Sequence, residues 1–282
     1  MKYISLLLAL FLVNELTAQS GWVKKKNDLY AQVNYIGFQS DNYFSIFGDQ
    51  VTTAKFKQNT VGLYAEYGLG KRFALEYNHV LYRWNSVETT ETVSGFGDLF
   101  VGVKYGILDG KIPLAIIVGP ELPIGNAALI SRNKSDPNTF LFLPTGDGEW
   151  NFLTTLAASH PIKGLPAYIS MYTTFNYRTN YKSSNFSHQL RSGVEIGFQP
   201  LNGLWLQTKV RTYLSLGDPE PGIDFIRGEG TEFTVFEFGG SYEFIKSWMI
   251  VGSVATYSDL IVSRKNLYSS PNFSIGVAYK RE

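Results

Sequence analysis

The 282-residue chain has no cysteine, only three histidines and three methionines, and almost no net charge: 25 Lys and Arg stand against 24 Asp and Glu, for a formal +1. Without cysteine there is no disulfide scaffold, no thiolate nucleophile and no cysteine-ligated metal. The charge balance supplies no basic surplus, so a nucleic-acid partner is not indicated. His79, His160 and His188 lie far apart in sequence, which offers no local ligand pair for a metal, and nothing else calls for a cofactor. A long apolar run is missing as well. Beyond residue 18 no segment approaches the ~20 apolar residues of a transmembrane helix.

The N-terminus reads MKYISLLLALFLVNELTAQS. One Lys, an apolar stretch from Ile4 to Val13 and a small residue at Ala18 describe a secretory leader that is too short to span a bilayer. Residues 1–18 are therefore expected to be a cleaved signal peptide, and 19–282 an exported domain resting on burial alone.

That domain is rich in what a membrane barrel needs. Aromatics make up 15% of the chain, with 18 Tyr, and apolar residues recur at period two. Twelve segments carry the pattern: 27–40, 55–69, 72–87, 97–108, 112–126, 148–162, 166–180, 187–199, 204–216, 231–244, 248–262 and 271–281. Alternate junctions are tight turns (GLGK, DGK, KGLP, PLNG, IKS), whereas the intervening connections, 41–54, 88–96, 127–147, 181–186, 217–230 and 263–270, are longer and polar. Short turns at one end and long loops at the other are the asymmetry of an outer-membrane β-barrel; a soluble sandwich has no reason to sort its loops by parity. The expectation is an all-β, antiparallel transmembrane barrel of twelve strands in the bacterial outer membrane, with lipid as its surroundings and both termini periplasmic. A hairpin hidden in 41–54 or 127–147 would make it fourteen.

The faces follow from parity. Val61, Leu63, Ala65 and Tyr67, then Leu190, Val194, Ile196 and Phe198, and likewise Leu206, Val210 and Leu214 or Phe273, Ile275, Val277 and Tyr279, form uncharged stripes for lipid. The opposite faces carry Glu66, Glu76, Asn78, Asp98, Lys104, Glu121, Arg178, Arg191, Glu195, Lys209, Arg211 and Glu237. Arg83 falls on the outer parity, near the extracellular end where it could snorkel.

GFGDLFVGVKYGIL at 95–108, ELPIGN at 121–126, TGDGEWNF at 145–152 and SHQLRSGVEIGF at 187–198 resemble, in order and spacing, a family of outer-membrane proteins associated with the meta-cleavage pathway of phenol degradation. The TAQS end of the leader looks like those of Bacteroidetes. The resemblance implies a barrel that transports aromatic or hydrophobic compounds.

Two features of the expected lumen bear on such a role. Arg191 and Glu195 on one strand face Lys209 and Arg211 on the next, so three cations meet one carboxylate; the cluster is either a self-satisfying ladder or a constriction with a positive bias. With Asp98, Lys104 and Arg178 these are the candidate lumen residues. Tyr64, Tyr82, Trp84, Phe100, Tyr168, Tyr172, Trp205 and Tyr213 fall on the same face, forming an aromatic wall suited to a small hydrophobic or aromatic solute, or else closing the lumen and its rims. Outer-membrane lipid hydrolases place His and Ser two residues apart on one strand so that base and nucleophile touch. No histidine here has that neighbour, so no enzymatic activity is expected. A conduit or binding barrel thus stands beside a structural barrel with a plugged lumen. Only about eight residues precede the first strand, so a gate is expected from the 127–147 loop, whose FLFLP at 140–144 is too apolar for water, or from side chains.

Overall fold

The computed structural model describes residues 19–218 and 228–282; the expected leader lies outside them. Among the described residues sixteen strands follow in order: β1 Leu29–Phe44, β2 Gln50–Gly68, β3 Phe73–Val87, β4 Val93–Gly95, β5 Leu99–Leu108, β6 Leu114–Leu122, β7 Ile130–Arg132, β8 Phe140–Phe142, β9 Asn151–Pro161, β10 Ala167–Arg178, β11 His188–Leu201, β12 Leu204–Leu216, β13 Phe233–Ile245, β14 Trp248–Ser258, β15 Leu267–Tyr268 and β16 Asn272–Arg281.

Twelve of them, β1, β2, β3, β5, β6, β9 to β14 and β16, pair antiparallel with their neighbours in chain order, and β1 closes the ring by pairing with both β2 and β16. Closure leaves no unpaired edge, which is what lets strands cross a bilayer. The two short strands β4 and β15 extend the wall from β3 and β1, while β7 and β8 form a separate hairpin. The 127–147 segment thus does hold a hairpin, but outside the ring, and the barrel count stays at twelve. The 41–54 segment is mostly strand: β1 and β2 run on to Phe44 and Gln50 and leave a turn of only 45–49.

The outside is apolar, as the parity argument requires. Val101 and Val103, Val194 and Ile196, Ile275 and Val277 are exposed, while Glu66, Glu76, Lys104, Arg178 and Glu237 are buried within the ring. Burial here means packing toward the lumen, and exposure means facing lipid.

One local irregularity reverses two expectations. In the β2–β3 ladder Val61 pairs with Tyr82 but Gly62 pairs with Val80, so Leu81 is an extra residue. A bulge moves every later side chain to the other face. Arg83 and Asn85 therefore turn inward, with Asn85 fully buried, and Tyr82 and Trp84 turn outward, opposite Val61 and Asn59. Arg83 is not a snorkelling outer residue, and neither Trp84 nor Tyr82 belongs to the aromatic wall.

Candidate functional site

The lumen holds two cavities in line, one toward the long loops (about 490 Å³) and one toward the short turns (about 640 Å³), and Gln19 borders both. What separates them is the chain itself. Residues 19–26 do not hang from the barrel but run back inside it. The Gly21 amide donates to the Ser159 hydroxyl at 2.9 Å, and Gln19 Oε1 accepts from Thr174 at 3.5 Å. Gly21 lies so near the wall that a Cβ would come within 2.1 Å of the Pro113 carbonyl oxygen. The strap's other end is fixed where it meets β1: the Asn27 amide donates to the Gly68 carbonyl at 2.8 Å, and the Arg281 guanidinium donates to the Asn27 carbonyl. The expected source of a gate, a loop or side chains, missed this segment because eight aperiodic residues carry no pattern of their own.

The remaining aromatic candidates do face the lumen. Tyr168 and Tyr172 sit opposite Gly197 and Gly193 on β11, and a Cβ at those glycines would come within 2.1 and 2.7 Å of the rings. Each ring lies flat over a residue without a side chain, so it covers the wall rather than blocking the passage. Phe100 lies over Gly102 in the same way. Trp205 packs 5.6 Å from Tyr168, and Tyr213 stacks 5.1 Å from Phe233. Tyr64 is buried beside Tyr30.

The charges are paired more fully than parity alone suggested. Lys209 meets Glu195 at 3.0 Å and Arg211 meets Glu237 at 2.9 Å. Arg191 donates to Gln189 and to the Tyr213 hydroxyl at 3.1 and 3.0 Å, and lies over the Tyr213 ring. The second carboxylate comes from β13, where Glu237 is the register partner of Lys209, so the expected three cations against one carboxylate become three against two, and the positive bias is reduced. Lys104 is enclosed at the wall between Glu66 at 3.4 Å and Glu76 at 3.3 Å. These two glutamates face each other directly across β2 and β3. Counting outward from the GLGK turn would have found that pair.

Asp98 and Arg178 serve the loops instead. Asp98 accepts from the amides of Gly125 at 2.9 Å and Asp147 at 2.7 Å, and Gly146 packs so close that a Cβ would lie 2.4 Å from its Oδ1. Asn85 and Arg83 donate to the Pro144 and Thr145 carbonyls, and buried Leu143 joins Phe56 and Val87. The 127–147 segment is thus clamped inward over the wall at 143–147, while Phe140 and Phe142 stay exposed on the outer hairpin. Arg178 binds Glu149 at 2.7 Å and Glu229 at 3.3 Å, tying two loop stretches to β10. Asp98→Asn replaces one acceptor with a donor that meets an N–H, so docking of 143–147 should weaken by about 1–3 kcal/mol. Faster proteolytic nicking within 127–147 is the readout, and an unchanged nicking rate would remove Asp98 as the clamp.

Burial, with Glu149 and Asp98 close by, holds the Asp147 carboxyl well above the usual carboxylate range, and burial likewise raises Asp98. An acid whose folded pKa is raised binds more protons when docked than when free, so docking is strongest in acid. It weakens as pH climbs from the ordinary carboxylate value through the raised one. A fluorophore at Asp136, on the exposed hairpin, should accordingly lose anisotropy as pH rises and regain it on return; a flat response would exclude the coupling.

The sequence matches no protein-family profile and no curated protein. Solved structures do resemble it. A crystal structure of an outer membrane channel from Pseudomonas putida F1 superposes with a TM-score of 0.68 at 16% identity, covering 95% of this chain and 100% of that one. NanC porin gives 0.52 at 11% identity over 89% and 100%. The translocator domain of the autotransporter NalP from Neisseria meningitidis gives 0.52 at 11% over 91% and 88%. At such identities the likeness is one of fold, and the fold is that of an outer-membrane β-barrel.

Proposed function

We propose that this chain is a passive channel of the bacterial outer membrane for small hydrophobic or aromatic molecules, with both termini on the periplasmic side. The observation that carries the reading is the character of the lumen. It keeps two cavities of about 490 and 640 Å³ in series, walled by rings laid flat on glycine and by ion pairs such as Lys209 with Glu195 and Arg211 with Glu237. Ring faces offer burial and stacking to a neutral aromatic solute. The resemblance to proteins associated with phenol degradation and the fold shared with the Pseudomonas putida channel support the same reading.

A structural barrel is the second reading, favoured by the strap that lies between the cavities. Proteoliposomes decide between them: under the channel reading, benzyl alcohol crosses faster with the protein than without it, and no increase at any concentration would leave the structural barrel. The orientation is tested separately. A tag at Asp136 should be labelled from outside intact cells and one at Gly110 should not, and the opposite pattern would invert the barrel.

A further inference from the structure

The larger cavity is bordered on one side by the strap, and the strap contributes a ring to it. Trp22 meets Tyr168 edge to face, with centroids 5.4 Å apart and planes at 87°; Tyr168 in turn packs against Trp205. Tyr30, Gln207 and Met249 also border the space, with Lys24, Lys25 and Asp28 of the strap and its turn at the rim. Trp22 stays 38% exposed even though it sits inside the ring, so the indole borders open space rather than filling a socket. The polar groups nearby are engaged with one another: the Tyr168 hydroxyl donates to Glu195, Gln207 donates to the Tyr168 hydroxyl at 3.1 Å, and Lys209 holds Glu195.

We infer that Trp22, Tyr168 and Trp205 form a cage that binds one neutral monocyclic aromatic molecule, and that the strap is both the third wall of this cage and the gate between the two cavities. The inference rests on the channel reading and assigns it a specific site. Ring faces set nearly perpendicular hold a guest ring by stacking on one side and edge contact on another. A charged guest would lose its hydration on entering between the rings, whereas a neutral one gives up little. The strap is built to yield. Toward Gln19, two hydrogen bonds among the described residues hold it, Gly21 to Ser159 and Gln19 to Thr174, the second of them long. Its anchored end turns at Asn27, whose φ of 70° lies in the left-handed region. Passage between the two cavities therefore requires the strap to swing about Asn27; while it is displaced the cage lacks a wall, and its return encloses a guest in the short-turn cavity.

Three of the five tryptophans, Trp84, Trp150 and Trp248, face outward, which leaves Trp22 and Trp205 as reporters of the cage. In full-length protein with those three changed to Phe, benzyl alcohol should alter indole emission saturably. Its saturated counterpart cyclohexylmethanol and the anion benzoate should each bind at least about tenfold more weakly. Trp22→Ala should weaken benzyl alcohol binding about tenfold yet speed its flux through proteoliposomes, because the same change removes a wall and loosens the gate. Trp22→Phe should restore both. Heat-dependent gel mobility establishes that each variant has folded. Equal binding of the saturated alcohol, or unchanged affinity in Trp22→Ala, would overturn the cage. Flux without saturable binding overturns the cage and leaves the channel standing, whereas saturable binding without flux in any variant keeps the cage as a binding site and removes the channel.

Discussion

Lys104→Met is expected to destabilise the folded barrel by about 3–5 kcal/mol, the usual effect of stripping a buried charge of its partner. The Lys104 side chain has no exposure, and its ammonium group is the shared partner of Glu66 and Glu76, themselves nearly buried and paired across two strands. Like charges placed directly opposite oppose strand pairing, and only the cation between them turns that pair into an asset. A methionine of similar length keeps the packing and removes the charge, so the loss isolates the electrostatics. Urea unfolding in lipid vesicles measures it. The triple variant Lys104→Met, Glu66→Gln, Glu76→Gln should recover most of the loss, because replacing all members of a buried ionic group is far milder than removing one. A single variant as stable as the parent would mean that the triad adds nothing to the fold.

Ile196→Arg should weaken folding into bilayers by ~2–4 kcal/mol, the effect of a cation near the midplane on the lipid face. Ile196 is half exposed near the centre of β11, beside Ile169 and Thr208 on the adjacent strands. Arginine at the neighbouring position 195 faces the lumen instead and should be tolerated far better by the lipid. It would still disturb the pair with Lys209, so the comparison belongs in refolding yield across lipids of increasing thickness, where only the 196 variant should worsen. Equal sensitivity at the two positions would contradict the assignment of faces.

The ring was legible because two independent patterns agreed. Period-two alternation located all twelve barrel strands, and the parity of turns such as GLGK and PLNG paired them in order. The lost details are those in which one residue or one register step decides. Leu81 is unremarkable in sequence, yet as a bulge it exchanges the faces of Tyr82, Arg83 and Trp84. Parity placed Glu237 inward but could not say that it would complete a neutral pair with Arg211, since that depends on the stagger between β12 and β13. Asp98 and Arg178 lie on the lumen side, as parity requires, but their partners arrive from loops whose conformation has no periodic signal. The strap is the extreme case. Nothing in QSGWVKKK marks it as interior, and only tertiary packing places Trp22 beside Tyr168.

The seam has a bearing on assembly. Leu29 pairs with Arg281 and Gly37 with Phe273, so the first strand made waits for the last, and the join is the pairing most distant in sequence in the molecule. Long-range pairing of this kind forms slowly, because the chain must close a large loop before any contact rewards it. Until the join zips, β1 and β16 are both open edges, and the strap lies against a curved, unclosed sheet. When it zips, residues 19–26 are enclosed like a cord caught inside a sewn tube. Whatever order the strands take, the strap has to be laid down before the tube is stitched, or else threaded in afterwards through the short-turn end.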